Sequence, residues 1–276
     1  MTISPFTPLR FADHRTDGIP SDYMQVFADT DRILLQILGT SSVSPIVKVI
    51  DELAGRVLYY VELSKWQVNA SVTLYFSEIC PSPGVYSVEV AGIGRSDVFR
   101  VTDDLAMLED TTLIQYSMKN NRQRRDTMFI IDGMQYFFDF RVPGGFKDSS
   151  WSFGVESEQF ATQLGDISQL YGLDTVYKKF TLGGAIGVPV WFAEMLNRIL
   201  TCTHVYFDGV KYCRKDTSVP EMEVLVEGVD SFIFSQLVQQ SVNLDPVIEQ
   251  TNQAIIRRIE EGSYRSLDNL TNRLIY

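Results

Sequence analysis

Proton-transfer chemistry near neutral pH starts with histidine, and this chain carries two, His14 and His204. Neither has a second His or Cys at the spacing of a zinc ligand set, so no metal centre is expected. Cys202 stands two residues from His204, which on a strand places both side chains on one face. A catalytic nucleophile needs its base within hydrogen-bond reach and a third group to orient that base; neighbours on one strand supply neither, and His204 reads as a hairpin residue. The glycines of Gly92-Ile93-Gly94 and Gly183-Gly184 complete neither a phosphate loop nor a dinucleotide fingerprint and read as loop glycines. The acidic pairs Asp29/Asp31, Asp103/Asp104 and Glu260/Glu261 fall where turns and helix ends are expected, and two carboxyl groups make a glycosidase only at a defined separation in space. The chain therefore reads as non-enzymatic, with no catalytic residue and no cofactor expected.

Aromatic residues offer one alternative. Trp66, Tyr75, Phe76, Tyr136 and Trp151 are candidates for a stacking platform, with Trp66 and Trp151 as the sugar-binding residues of a carbohydrate-binding module whose partner is a host surface glycan. Core packing is the simpler account of most of these rings. The three cysteines, Cys80, Cys202 and Cys213, are odd in number and share no close-spaced motif, which points to reduced thiols. A formal net charge of −11 argues against tight nucleic-acid binding, which relies on clustered cations. It suits a solvated surface, or a lumen that must not hold DNA. The one basic knot, Arg122, Arg124 and Arg125, reads as a solvated loop between strands. Apolar runs such as 33–38 fall far short of the ~20 residues that cross a bilayer, so no membrane association is expected. The opening MTISPFTPLRFADHR lacks the apolar block of a signal peptide, which points to the cytoplasm as the place of assembly.

The elements follow from periodicity. Residues 1–21, with Pro5, Pro8 and Pro20, resist helix and central strand alike and read as an extended arm. Its Phe6, Leu9 and Phe11 need a groove to cover them, on the parent domain or on a neighbouring subunit, and they are candidates for an assembly interface. Residues 22–142 alternate with a period of two between Gly, Pro, Ser and Asp punctuation: a hairpin 23–38 turning at 28–31, then about eight short strands, giving a jelly-roll-like β-sandwich. Asp132-Gly133 is a hairpin signal, and Pro143-Gly144-Gly145 marks the expected border of a smaller α+β domain, 143–240. Within it, Phe160, Leu164, Ile167 and Leu170 predict a helix over 155–171. Pro189 and the spacing of Trp191, Phe192, Met195, Leu196, Ile199 and Leu200 predict another, followed by a hairpin turning at Asp208-Gly209. Residues 241–276 form a C-terminal helical arm, opened by Asp245-Pro246, whose Ile255 and Ile259 are candidates with the N-terminal residues for an assembly interface. The fold class is mainly β, with an α+β second half.

The succession GVYSVEV (84–90), SDVFRVTDD (96–104), TTLIQYS (111–117), FRVPGGF (140–146), then SEQFATQ, the run LYGLDTVYKKFTLGGAIGVPVWFAEMLNRILTCTHVYFDGVKYCRK and PEMEV is similar to virion structural proteins of tailed phages and prophages of gut bacteria, of the tail or baseplate kind. The likeness covers roughly 1–240; the trailing helix falls outside it. It implies a building block similar in role to distal-tail proteins: a homo-oligomeric ring in the virion, linking the tail tube to the adsorption apparatus and touching other tail proteins. Such proteins carry no catalytic residues.

Overall fold

The structure, a computed structural model, describes residues 1–11, 23–40, 43–161, 167–185, 187–215, 220–226, 231–240, 266–267 and 274–275. Residues 1–240 form one compact unit and 241–276 a second. The first is mainly β. Alternating apolar residues build ten strands up to residue 102: β1 (Thr2–Ile3), β2 (Gln25–Ala28), β3 (Ile33–Gly39), β4 (Val47–Asp51), β5 (Arg56–Tyr60), β6 (Ser64–Gln67), β7 (Thr73–Ile79), β8 (Gly84–Val90), β9 (Gly94–Arg95) and β10 (Phe99–Thr102). They make two sheets, β1-β3-β7-β6 and β2-β10-β8-β4-β5 with β9 on β8. The inward faces meet in one core, to which the first sheet gives Leu35, Ile37 and Tyr75 and the second Val49, Val88 and Phe99. This is a β-sandwich.

β2 and β3 do not form the expected hairpin. β2 runs parallel to β10 in one sheet, while β3 pairs β7 in the other. The turn between them is closed by Asp31 N–H donating to the Ala28 carbonyl at 3.1 Å, so a tight turn is present but serves as an arch between sheets. β3 explains itself as a continuous apolar run: Ile33, Leu35 and Ile37 enter the sandwich core, while Leu34 and Leu38 enter cores on the opposite face.

After the single helical turn α1 (Leu105–Leu108), N-capped by Asp104, come β11 (Thr111–Ser117), β12 (Ile130–Ile131), β13 (Met134–Gln135), β14 (Phe138–Ala161) and β15 (Ile167–Leu182). Then follow α2 (Val190–Ile199), β16 (His204–Phe207), β17 (Val210–Arg214), β18 (Glu221–Val226) and β19 (Ser231–Gln240). The order β15-β14-β11-β16-β17-β19 returns to its start, because β19 also pairs β15 through Tyr177↔Gln239 to Leu182↔Phe234. Six antiparallel strands thus close on themselves as a barrel. Its interior takes Ile114, Tyr116, Phe138, Phe140, Phe180, Phe207 and Phe234, and α2 covers it with Phe192, Met195, Leu196 and Ile199, the i, i+3, i+4, i+7 stripe read from the sequence.

The hairpin turns behave as their dipeptides require. Asp132-Gly133 and Asp208-Gly209 take φ of 50 and 77, and 47 and 80, positive at both central positions. The border expected at Pro143-Gly144-Gly145 falls instead inside β14; the handover from sandwich to barrel lies at 103–110. The helix expected over 155–171 is corrected too. Val155 to Ala161 belong to β14 and 167–171 to β15, paired from Val155↔Asp174 to Ala161↔Ile167, because a continuous partner strand outweighs a local helical spacing. In the second unit, β20 (Ser266–Leu267) pairs β21 (Leu274–Ile275), and the helix expected from Asp245 to Gly262 lies outside the described residues.

Gly144 stands where β14 parts from β11 and goes on with β15. Its φ is 111, and a Cβ there would run into the Thr181 carbonyl oxygen. Gly144→Ala is therefore expected to lower the unfolding free energy by about 2 kcal/mol or more in urea denaturation. Gly145→Ala, where a Cβ meets only Thr112 Oγ1 at 3.4 Å, should change it little.

Candidate functional site

The apolar residues of the N-terminal segment lie inside their own subunit. Phe6, Leu9 and Phe11 are 0%, 2% and 0% exposed, which overturns the expectation that residues 1–11 present an apolar surface to a neighbour. The physical reason is that the segment joins two cores. Ile3, Leu9 and Phe11 belong to the sandwich core, while Phe6 enters the barrel core against Phe129 (ring centroids 5.3 Å apart) and Tyr116 (6.1 Å). Polar contacts hold it there: Tyr116 O–H donates to the Phe6 carbonyl at 2.6 Å, and Arg198 Nη1 on α2 to the Pro5 carbonyl at 2.8 Å. Ile255, Ile259 and His14 lie outside the described residues.

Of the candidate platform rings, Tyr75 does not share a face with the other described ones. Tyr75 is buried in the sandwich core, whereas Trp66 and Phe76 face the other way and pack with Tyr136 around Leu38, Leu74, Met128 and Ile131. Trp66 is half-buried there. The backbone of Trp151 pairs Lys178 in β14, and its side chain lies outside what is described.

Cys202 and His204 do share a neighbourhood, without the electrostatics of a nucleophile and base. Burial pushes the Cys202 thiol up to about 12, leaving essentially no thiolate at neutral pH. Burial, and then Lys211 and Lys119, hold the His204 imidazole below its usual range. Among the described residues no group of three His, Cys, Asp or Glu side chains could hold a metal ion, and no helix is long and apolar enough to cross a membrane.

The most organised polar cluster has no signal in sequence spacing, since its members lie 110 residues apart. Asp31, in the arch between β2 and β3, receives Arg141 of β14 through both oxygens, Nε at 2.6 Å and Nη2 at 2.9 Å, and also caps the Ala28 N–H at 2.8 Å. Arg141 Nη1 donates to Thr111 Oγ1 at 3.0 Å. Beside them Asp139 accepts from the Arg32 N–H at 3.0 Å and from Gln115 Nε2 at 2.9 Å. Asp31, Arg32, Gln115 and Asp139 sit on the wall of a cleft of about 770 Å³ between sandwich and barrel, with Glu78, Phe137 and Tyr206 also lining it. Burial raises the Asp139 carboxyl above the usual carboxylate range, more than its two donors lower it, and Asp31 adds to the rise. With both its oxygens committed to Arg141, Asp31 helps clamp the two halves together.

The other prominent feature is the part of the β14/β15 pair that leaves the barrel. From Phe153↔Val176 to Ala161↔Ile167 the described strands have only each other as partners, a ribbon about 30 Å long at 3.4 Å per residue. Val155, Phe160, Ile167 and Leu170 on it are 66%, 55%, 68% and 63% exposed. At the other end of the β15–β19 pairing, where Gly144 faces Leu182, an open cleft of about 820 Å³ is lined by Glu109, Asp110, Asp208 and the glycines of 144–145 and 183–187.

No family model matches the chain, and no curated protein is similar to it.

Two substitutions separate the roles of the buried carboxylates. Arg141→Leu leaves Asp31 buried without its cation and should cost about 3–5 kcal/mol in denaturant unfolding. Asp139→Asn should stabilise at pH 7, Gln115 rotating its amide to accept from the new one. The sign follows from linkage: a raised native pKa means the fold binds the proton more tightly than the unfolded chain. Asp139 thus weighs least on stability below about pH 4 and increasingly as pH rises through its native pKa. The gain in Tm from Asp139→Asn should shrink toward zero as pH falls below about 4.

Proposed function

We propose that the chain is a non-enzymatic structural component of a phage tail or baseplate, assembling as a homo-oligomeric ring that links the tail tube to the adsorption apparatus. The ribbon carries this reading. An isolated two-stranded ribbon is marginal in water, and apolar side chains along a free hairpin are surface that a monomer has no use for. A ribbon has two different backbone edges, one along β14 and one along β15. Copies arranged around an axis can pair the β14 edge of one with the β15 edge of the next, a head-to-tail contact that becomes a ring when the rotation closes. The barrel, closed in itself, lends the ribbon a rigid base. The similarity of the motif succession to tail and baseplate proteins supplies the virion context, with other tail proteins as neighbours. The sandwich is read as jelly-roll-like because successive strands β1 to β4 alternate between its two sheets.

Light scattering behind a sizing column should give a mass that is a multiple of 31.4 kDa, and negative-stain images should show rings. Val155→Asp combined with Ile167→Asp should weaken association at least tenfold, since each buried aliphatic side chain is worth about 1.5–3 kcal/mol, while leaving Tm of the barrel unchanged. A folded wild-type chain that stays monomeric up to the highest soluble concentration overturns the reading.

A further inference from the structure

The described surface of residues 1–240 is charged oppositely at the two ends of the barrel. At one end, where β11 begins, Asp103, Asp104, Glu109, Asp110 and Asp208 are all exposed. Asp104 caps α1 and Asp208 caps the Leu113 N–H at 2.9 Å, but among the described residues no cation pairs with any of the five. Glu109, Asp110 and Asp208 line the cleft of about 820 Å³ beside Gly144 and Gly145. At the other end, where β11 finishes, the loop from Met118 to Asp126 exposes Lys119, Arg122 and Arg125 in a chain whose net charge is −11.

That loop is held in shape. Arg124 is tied to Asp126 through two hydrogen bonds, at 2.9 and 2.6 Å, and lies 4.9 Å from the Phe6 ring centre. Asn121 Oδ1 accepts the N–H groups of Phe129 and Ile130 at 2.8 and 2.9 Å, and Lys119 N–H donates to Thr203 Oγ1 at 2.7 Å. Arg122 and Arg125 are left pointing their charge at solvent from a fixed platform, so little ordering entropy opposes their use in a contact. Within one molecule the loop cannot reach the acidic cleft: β11, seven residues and about 20 Å long, holds them apart.

We propose that the acidic cleft of Glu109, Asp110 and Asp208 receives Arg122 and Arg125 from a second copy of this chain, an end-to-end contact made by guanidinium–carboxylate pairing. The inference rests on the reading of the chain as self-assembling, and adds to the apolar ribbon a polar contact of different geometry. Because donor loop and acceptor cleft are different surfaces, the contact does not exhaust itself in a pair. It propagates along the barrel direction and stacks one assembly on the next.

Two reversed variants of the full chain test it, R122E/R125E and E109K/D110K, all four positions being exposed and outside both cores. Sedimentation velocity is run at about 25 mM and about 0.5 M salt, where the screening length falls from near 20 Å to a few Å. Wild type should form species larger than the ring at low salt only. Each variant alone should lose them, roughly tenfold or more in association, and an equimolar mixture of the two should regain them, since loops and clefts of opposite sign are then both present. Rings of the same size at both salt concentrations, or a mixture no more associated than its components, overturns the end-to-end contact while leaving the ring reading in place. Monomers at both salt concentrations overturn both.

Discussion

The closure of β15 onto β19 is the constraint on which the rest depends. Once Tyr177 to Leu182 pair with Phe234 to Gln239, the six barrel strands have no open edge over their shared length, and their interior can be filled from the side by α2. The same pairing ends at Tyr177. Beyond it β14 and β15 keep going with only each other, so the barrel both satisfies its own backbone and extends two strands past the point where that satisfaction stops. Gly144, where β14 parts from β11, is a glycine because the backbone there takes a positive φ and has no room for a side chain against Thr181.

The sandwich is joined to this barrel by chemistry rather than by a linker. β3 is buried on both faces, giving Leu35 and Ile37 to one core and Leu34 to the other. Gln36, 0% exposed, treats Met128 as a strand partner, donating to its carbonyl at 2.6 Å and accepting its N–H at 3.0 Å. Residues 1–11 contribute to both cores, and the Asp31–Arg141 pair locks the arch to β14. A buried ion pair contributes little net stability beside an apolar replacement, but it is satisfied in one geometry only, so its service here is to fix the angle between sandwich and barrel.

Local grammar is legible wherever the deciding interaction is local. The Asp-Gly turns, α2 and most strands are readable because φ preferences and residue spacing act within a few positions. Pairing is not. Phe160, Leu164, Ile167 and Leu170 match a helix as well as anything in the chain, and only the partner strand, which begins at Ile167, makes the first of them a ribbon residue. The proline-rich start reads as an arm in want of a neighbour, because nothing in PFTPLRF reveals that Phe6 and Phe11 enter two different cores of the same molecule. The Asp31–Arg141–Asp139 cluster is illegible for the same reason: Asp29/Asp31 reads as a turn pair until β14 brings Arg141 alongside.

The division of labour between these parts bears on how folding and assembly are related. Every large fully buried aromatic side chain among the described residues lies in the sandwich or the barrel, and the ribbon from Phe153 to Ala161 contributes none of them. The ribbon and the exposed charges at the barrel ends can therefore change with little effect on the fold. The Asp31–Arg141 pair cannot. On the proposed reading, selection for a partner acts on one set of residues and selection for stability on the other, and a barrel that closes without its ribbon is what allows the two to be separate.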